Sequence, residues 1–232
     1  MNLNVIYEDN HILVVEKPCN IASQGDETGD KDMLTLCKEY IKEKYNKPGN
    51  VYMGLVHRLD RPVGGIMVFA KTSKAASRLS ESIRTNEFSK TYLAIVYDNN
   101  NVLKQNGEFE DYMIKNEALN KSMVCGKDKH GAKLARLSYE VIATADEGSI
   151  KKLVKIHLET GRHHQIRVQF SSRGCPLYGD QKYGSGPKNE QIALWAYKIS
   201  FKHPTKDEVM TFECLPKPVS AWKAFEDILH KD

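Results

Sequence analysis

Apolar and polar positions alternate from the first residues of the chain. Leu3 to Tyr7 and His11 to Glu16 read as two short strands joined by a Glu8-Asp9-Asn10 turn, and Lys17-Pro18 ends the second. Asn20 to Lys31 is polar and carries Gly25 and Gly29, so it reads as a loop. Asp32 is placed to cap a helix reaching about Tyr45, with Leu34, Cys37, Tyr40 and Ile41 on one face. Ile66 to Ala70 is a short β-favouring run. Ser73 to about Thr85 has Ala76, Leu79, Ser80 and Ile83 at helical spacing, with Lys74, Arg78, Glu81 and Arg84 facing outward.

Ser89 to Tyr97 alternates as a strand. Gly107 to Lys115, Leu134 to Thr144 and Lys151 to Glu159 are further strands, followed by a helix from Arg162 to about Arg173 that Gly174 stops. In that helix Arg162, Ile166 and Gln169 would share one side. Ile192 to Phe201 and Val209 to Cys214 are the last strands, and Ala221 to His230 a closing helix. Between them Lys121 to Lys133 holds four lysines and His130 around Gly126 and Gly131. It reads either as a phosphate-gripping loop or as a solvated one. No repeat, low-complexity segment or long linker interrupts the pattern, so residues 1–232 are read as a single domain.

Composition narrows the class. The 41% hydrophobic content suffices for a soluble core, and 34 Lys and Arg against 30 Asp and Glu leave a net charge of +4. That excess permits a nucleic-acid partner where the cations cluster, without requiring one. Five dispersed cysteines without a C-x-x-C pair argue against a disulfide framework and a zinc site, and suit a reducing compartment. No signal peptide or membrane-length apolar stretch is evident, so the expectation is a soluble, cytoplasmic protein. A metal at the adjacent His163 and His164 is disfavoured, because neighbours on a helix point apart and no further ligand motif accompanies them.

The chemistry concentrates in Val56-His57-Arg58-Leu59-Asp60-Arg61-Pro62-Val63-Gly64-Gly65. One carboxylate sits between two arginines on a turn tightened by Pro62 and two glycines. Cationic neighbours favour the ionised carboxylate, which then serves as nucleophile, base or metal ligand. The competing reading is a structural charge cluster. His57 reads as a hydrogen-bonding loop residue rather than a general base.

His57-Arg58-Leu59-Asp60-Arg61, with Gly65 and Phe69-Ala70-Lys71, closely resembles the signature of the RluA-type RNA pseudouridine synthases. Lys90-x-Tyr92-x-Ala94-x-Val96 resembles the second motif of that family. Thr160-Gly161-Arg162-His163-His164-Gln165-Ile166-Arg167 resembles the third, and Tyr178-Gly179-Asp180 the turn that follows it. The matches run in family order from about Leu13 to Pro218. The resemblance implies an α+β fold on a mixed, largely antiparallel sheet flanked by helices. It further implies a catalytic set of Asp60 as nucleophile, Arg58 filling the space vacated by an extruded uridine, Tyr92 against the flipped base and helping to remove a proton, and Arg162 paired with Asp60.

The implied reaction breaks the C1'–N1 glycosidic bond, rotates the uracil and rejoins it through C5. It is redox-neutral and loses no atom, so no cofactor or metal is required. What it needs is a covalent carboxylate, a pocket that retains the free base, and exclusion of water. The implied partner is structured RNA, rRNA or tRNA, and with no coiled-coil pattern or long apolar surface stripe in the sequence a monomer is expected. Two departures stand out: Val63-Gly64 replaces the usual Thr-Ser, which frees the backbone at Gly64, and His163 sits where a smaller or differently polar residue is usual. The first strand begins so early that the S4 module of many relatives is expected to be absent. Two rivals remain: a catalytically inactive synthase-like RNA-binding or ribosome-assembly protein, and a nucleoside hydrolase that would release free uracil.

Overall fold

The computed structural model describes residues 3–146, 149–184 and 189–230. It forms two compact units, Met1–Lys90 with Ala196–Cys214 and Thr91–Trp195 with Leu215–Asp232.

In the first unit, β1 (Asn4–Glu8) pairs antiparallel with β2 (Ile12–Lys17). The turn between them is closed by Asp9, whose Oδ1 accepts from the backbone N–H groups of His11 and Ile12 at 2.7 and 2.9 Å. β2 lies beside β4 (Gly64–Ala70), again antiparallel, with the short β3 (Gly54–Leu55) also on β4. β10 (Leu194–Lys202), from Ala196 onward, follows β4 in the order and carries β11 (Val209–Glu213) on its other side. Every residue of β4 is buried, which explains its unbroken apolar run: a strand covered on both faces has no polar side to present.

Two helices serve this sheet. α1 (Met33–Lys44) starts where expected, because the Asp32 carboxylate accepts from the Thr35 N–H at 3.0 Å. α2 (Ser73–Arg84) is capped by Thr72, whose hydroxyl accepts from Ala75 N–H at 3.2 Å. Its buried residues are Ala75, Leu79 and Ser82, with Ala76 and Ile83 partly buried beside them. Ser80, expected on the inner face, is exposed. The stripe is centred on the i, i+4, i+7 positions 75, 79 and 82, and residue 80 falls on its flank. One core cluster consists of Ile12, Val14, Ile66, Val68, Ala70, Ala75, Leu79, Phe88, Ile199 and Phe201. Such buried aliphatic side chains contribute about 1.5–3 kcal/mol each.

The second unit is an antiparallel sheet in the order β5 (Ser89–Tyr97, from Thr91 onward), β9 (Ile150–Leu158), β8 (Lys133–Asp146), β6 (Asn106–Asn116) and β7 (Lys121–Cys125). The basic stretch from Lys121 is therefore not all loop. Its first five residues form edge strand β7, and only Gly126–Ala132 turns. α3 (Gln165–Ser171) is shorter than the sequence pattern implied, because His164 adopts the left-handed conformation with φ 54°. Arg162 thus precedes the helix instead of lying on its face. Phe170 of α3 packs edge-on against Phe109 and Tyr139, whose own rings are tilted to each other. The final segment is a 3-10 turn, Ser220–Phe225, leading into the single turn α4 (Glu226–Leu229), rather than one continuous helix.

The architecture is α+β and largely antiparallel. No helix of the described residues is long and apolar enough to cross a membrane.

Candidate active site

Asp60 occupies the first position of a β-turn in which the Val63 N–H donates to the Asp60 carbonyl at 2.9 Å. Two side chains from the preceding segment pin this backbone. Ser23 Oγ accepts from Leu59 N–H at 3.0 Å and donates to the Leu59 carbonyl at 2.8 Å. Lys17, at the end of β2, is fully buried, and its ammonium donates to the carbonyls of Pro18, Ile21 and Arg61 at 3.0, 2.6 and 3.0 Å. Three N–H donors meet three acceptors, so the ammonium is saturated by backbone oxygen. The residues on either side of Asp60 are therefore both held, and the carboxylate itself is half-buried.

Burial pushes the Lys17 amine down to about 8, an effect that the Cys19 and Asp60 charges partly offset and Arg61 reinforces. Cys19 itself is shifted upward by burial, against the lowering influence of Lys17 and of the Gly64 N–H. After the Arg61-Pro62 step the chain continues with a buried Val63 and a buried Gly64. The glycine with the strict requirement is Gly65. Its φ is +121°, and a Cβ there would lie 2.3 Å from the Ala196 carbonyl oxygen.

The two arginines of the motif differ. Arg58 is exposed. Arg61 engages the polar loop before α1, with Nη1 at 3.1 Å from Asp26 and 3.0 Å from Thr28, Nη2 on Asp30, and Nε at 3.3 Å from the Asn20 carbonyl. His57 accepts from the Val68 N–H through Nε2 at 3.1 Å and packs its ring 5.6 Å from Phe88. Burial, aided by the Lys90 charge, depresses it to about 3. Its Nε2 thus serves as a hydrogen-bond acceptor for β4.

The other two candidates belong to the second unit. Tyr92 is buried on β5, in register with Ile156 of β9. Arg162 is exposed, and its Nε donates to the Leu134 carbonyl at 2.7 Å. The deeper arginine of the same motif is Arg167. It is buried on α3 and grips Asp180 through Nε and Nη2 at 2.9 and 2.8 Å. Burial alone would raise the Asp180 carboxyl, but hydrogen bonds from Arg167 and from the N–H groups of Lys182 and Tyr183 bring it below its ordinary value. The Tyr178-Gly179-Asp180 turn thus has a structural purpose, and Gly179 is obligatory in it: a Cβ there would meet the Gln191 carbonyl oxygen at 2.4 Å. This carboxylate partner makes Arg167 a brace of the turn.

His163 and His164 stack at 3.7 Å between ring centroids. His163 Nδ1 is 2.8 Å from Ser122 Oγ and His164 Nδ1 2.7 Å from Tyr183 OH, which also accepts from Ser122 N–H at 2.8 Å. The pair ties β7 to the start of α3. Among the described residues no group of three His, Cys, Asp or Glu is arranged to hold a metal. An open groove of about 540 Å³ lies on the unit's sheet face, lined by Thr91, Glu108, Ser138, Glu140, Lys155 and His157 among others. Glu108 and Glu140 share it with Lys155 and His157, which makes it a poor site for a single sign of ligand charge.

Motif reading gave no place to Lys17 and Ser23, the two side chains that hold the Asp60 turn. Nothing in a lysine at a strand end distinguishes a buried cage from a solvated tail.

A family model described as RNA pseudouridylate synthase matches residues 11–172. An uncharacterized RNA pseudouridine synthase of Aquifex aeolicus is 35% identical over 224 residues, covering 91% of this chain and 68% of that protein. Ribosomal large subunit pseudouridine synthase C of Rickettsia bellii is 32% identical over 198 residues, 84% of this chain and 62% of its own length. Among solved structures, human RNA pseudouridylate synthase domain containing 4 superposes with a TM-score of 0.76 at 20% identity, over 97% of this chain and 92% of the other. The pinned Asp60 turn, the matching motifs and these relatives agree, and the chain belongs to the RNA pseudouridylate synthase family, an isomerase family acting on RNA.

Proposed function

We propose that this protein converts specific uridines of structured RNA to pseudouridine, with Asp60 as the nucleophile and the target base extruded from its stack. Ribosomal large-subunit RNA is the first substrate to test, by analogy with the Rickettsia relative, and tRNA the second. The observation that carries the reading is the anchoring of the Asp60 turn, where Ser23 and Lys17 fix the backbone on both sides of a half-buried carboxylate. A covalent catalyst gains most from such fixing, since a nucleophile held near its attack geometry avoids an entropic cost that mobile groups incur.

In this reading exposed Arg58 fills the gap left by the extruded base, and Tyr92 packs against the uracil and assists loss of the C5 proton. Arg162 is carried over from the motif as the cation that supports Asp60. Extrusion costs roughly a few kcal/mol, least in loops and distorted stems, so those are the expected targets. The protein acts as a monomer in the cytoplasm.

The test is a carbodiimide-based pseudouridine map of total RNA from cells with and without the gene, complemented with wild type or with Asp60→Asn. A position lost on deletion and restored only by wild type supports the reaction and names the target. A site restored equally by the Asn variant would remove Asp60 from the chemistry. Release of free uracil by the purified protein would point instead to hydrolysis.

A further inference from the structure

The residue after the candidate nucleophile is held by acids. The guanidinium of Arg61 meets two carboxylates, Asp26 through Nη1 at 3.1 Å and Asp30 through Nη2, with the Thr28 hydroxyl between them at 3.0 Å. These groups come from one exposed loop, Gln24 to Lys31, that contains a third acid, Glu27. The loop has internal order: Asp26 Oδ1 accepts from the Thr28 N–H and hydroxyl at 3.0 and 2.6 Å. It therefore presents its oxygens to Arg61 as a set.

The arrangement is poorly explained as a means of holding the catalytic turn. That backbone is already fixed by Lys17 and Ser23. The Arg61 side chain is 32% exposed, and its partners Asp26 and Asp30 are 38% and 66% exposed. Ion pairs so open to water are weak and exchangeable. What two carboxylates and a hydroxyl do supply is a set of oxygens facing a guanidinium fork. That is also the face a phosphodiester presents, and guanidinium recognises the two in the same bidentate manner.

We propose that Arg61 is an RNA-phosphate contact and that the acidic loop at Asp26 and Asp30 is its resident competitor, released when the RNA backbone arrives beside Asp60. The inference rests on the RNA reading above. With no RNA bound, the loop neutralises the cation. A phosphate takes its place only where the rest of the RNA contributes enough binding to offset the lost pairs. Chance encounters with unstructured or wrongly shaped RNA are thus held off the nucleophile's neighbour by like-charge repulsion.

The experiment measures binding of a 5'-labelled uridine-loop RNA hairpin as a function of salt, for wild type, Asp26→Asn/Asp30→Asn, Arg61→Ala, and the triple variant. Near-ultraviolet circular dichroism checks that each variant is folded. The double variant should bind about 3- to 10-fold more tightly. Its slope of log affinity against log salt should steepen by about one phosphate contact, roughly 0.7–0.9. Arg61→Ala should bind more weakly than the double variant, and adding it should erase the gain. A double variant that binds no more tightly overturns the proposal. So does a gain that survives in the triple variant, because that gain would come from net charge alone. Failure of the wild type to bind any RNA is a different result, and would undo the RNA reading itself.

Discussion

Each unit buries a lysine, and the two are treated differently. In the second, Lys152 meets the Asp98 carboxylate at 2.6 Å, with Asn101 Oδ1 at 2.7 Å and the Leu103 carbonyl at 3.1 Å. Asp98 in turn accepts from the N–H groups of Val102 and Leu103 at 2.7 and 3.0 Å. In the first unit, Lys17 has three backbone carbonyls and no carboxylate among its hydrogen-bond acceptors. One arrangement closes a charge upon a charge and clips the segment after β5 to β9. The other leaves a net positive charge inside the protein, and Asp60 is one of the anionic groups that support it. A buried charge without a counter-ion in its own cage is costly, and such groups concentrate where function needs a field. The contrast sets a lysine paired with a carboxylate inside the fold against one that holds the backbone of the Asp60 turn.

The largest expected effect comes from breaking the closed pair. Lys152→Met should strand the Asp98 carboxylate, whose side chain is 0% exposed, and destabilise the protein by about 3–5 kcal/mol. Trp195 and Trp222 are buried in the same unit, so urea unfolding followed by tryptophan fluorescence reads the change. Replacing both partners, Lys152→Met with Asp98→Leu, should recover part of the loss, since no charge is then left unpaired. A single variant as stable as wild type would show that Asp98 finds other compensation.

Lys17→Met should have the smaller effect on stability and the more telling one on activity. The three carbonyls of its cage lose their donor, at a cost of about 1–3 kcal/mol, while the Met stem still fills the space. Turnover on saturating RNA should fall about 100-fold, the scale expected when a reacting group is misplaced by roughly 1 Å. A variant that lost stability and kept full turnover would reduce Lys17 to a structural lysine like Lys152.

The contrast also marks what a sequence can disclose. Asp32 as a helix cap, the strand from Ser89 to Tyr97 and the apolar run of β4 were readable, because each follows from local periodicity or one short-range hydrogen bond. Asp60 stood out as a candidate only through its motif. The Lys17 cage was not, for its acceptors at Ile21 and Arg61 converge only when β2 and the turn before β4 lie together. β7 was hidden for another reason. It is an edge strand whose only buried side chain is Ser122, so no apolar alternation announces it. Arg162 and Arg167 stand five residues apart in one motif, and only tertiary structure shows the first exposed and the second locked on Asp180. The left-handed turn at His164, which separates them by delaying the helix, has no strong signature in a histidine.

The last test is the one that best isolates the charge of Lys17 from its hydrogen bonds. Its folded value of about 8 lies below the ordinary lysine value of 10.5. Between those two pH values the unfolded chain binds more protons than the folded one, so stability rises with pH across that window. The penalty for burying the ammonium is present in full below about pH 8 and is relieved as pH climbs toward 10.5. Turnover should move the opposite way. A neutral amine offers two donors to three carbonyls and no positive charge beside Asp60, so the rate should decline over the same range. Lys17→Met, carrying neither charge nor donors, should show neither trend. Subtracting its stability and log-rate profiles from those of wild type cancels every other titrating group that the substitution leaves unchanged. Opposed slopes in the two difference curves would establish that the buried charge serves the site at the expense of the fold. Parallel slopes would show that the cage matters only as packing, and would erase the distinction between the two lysines.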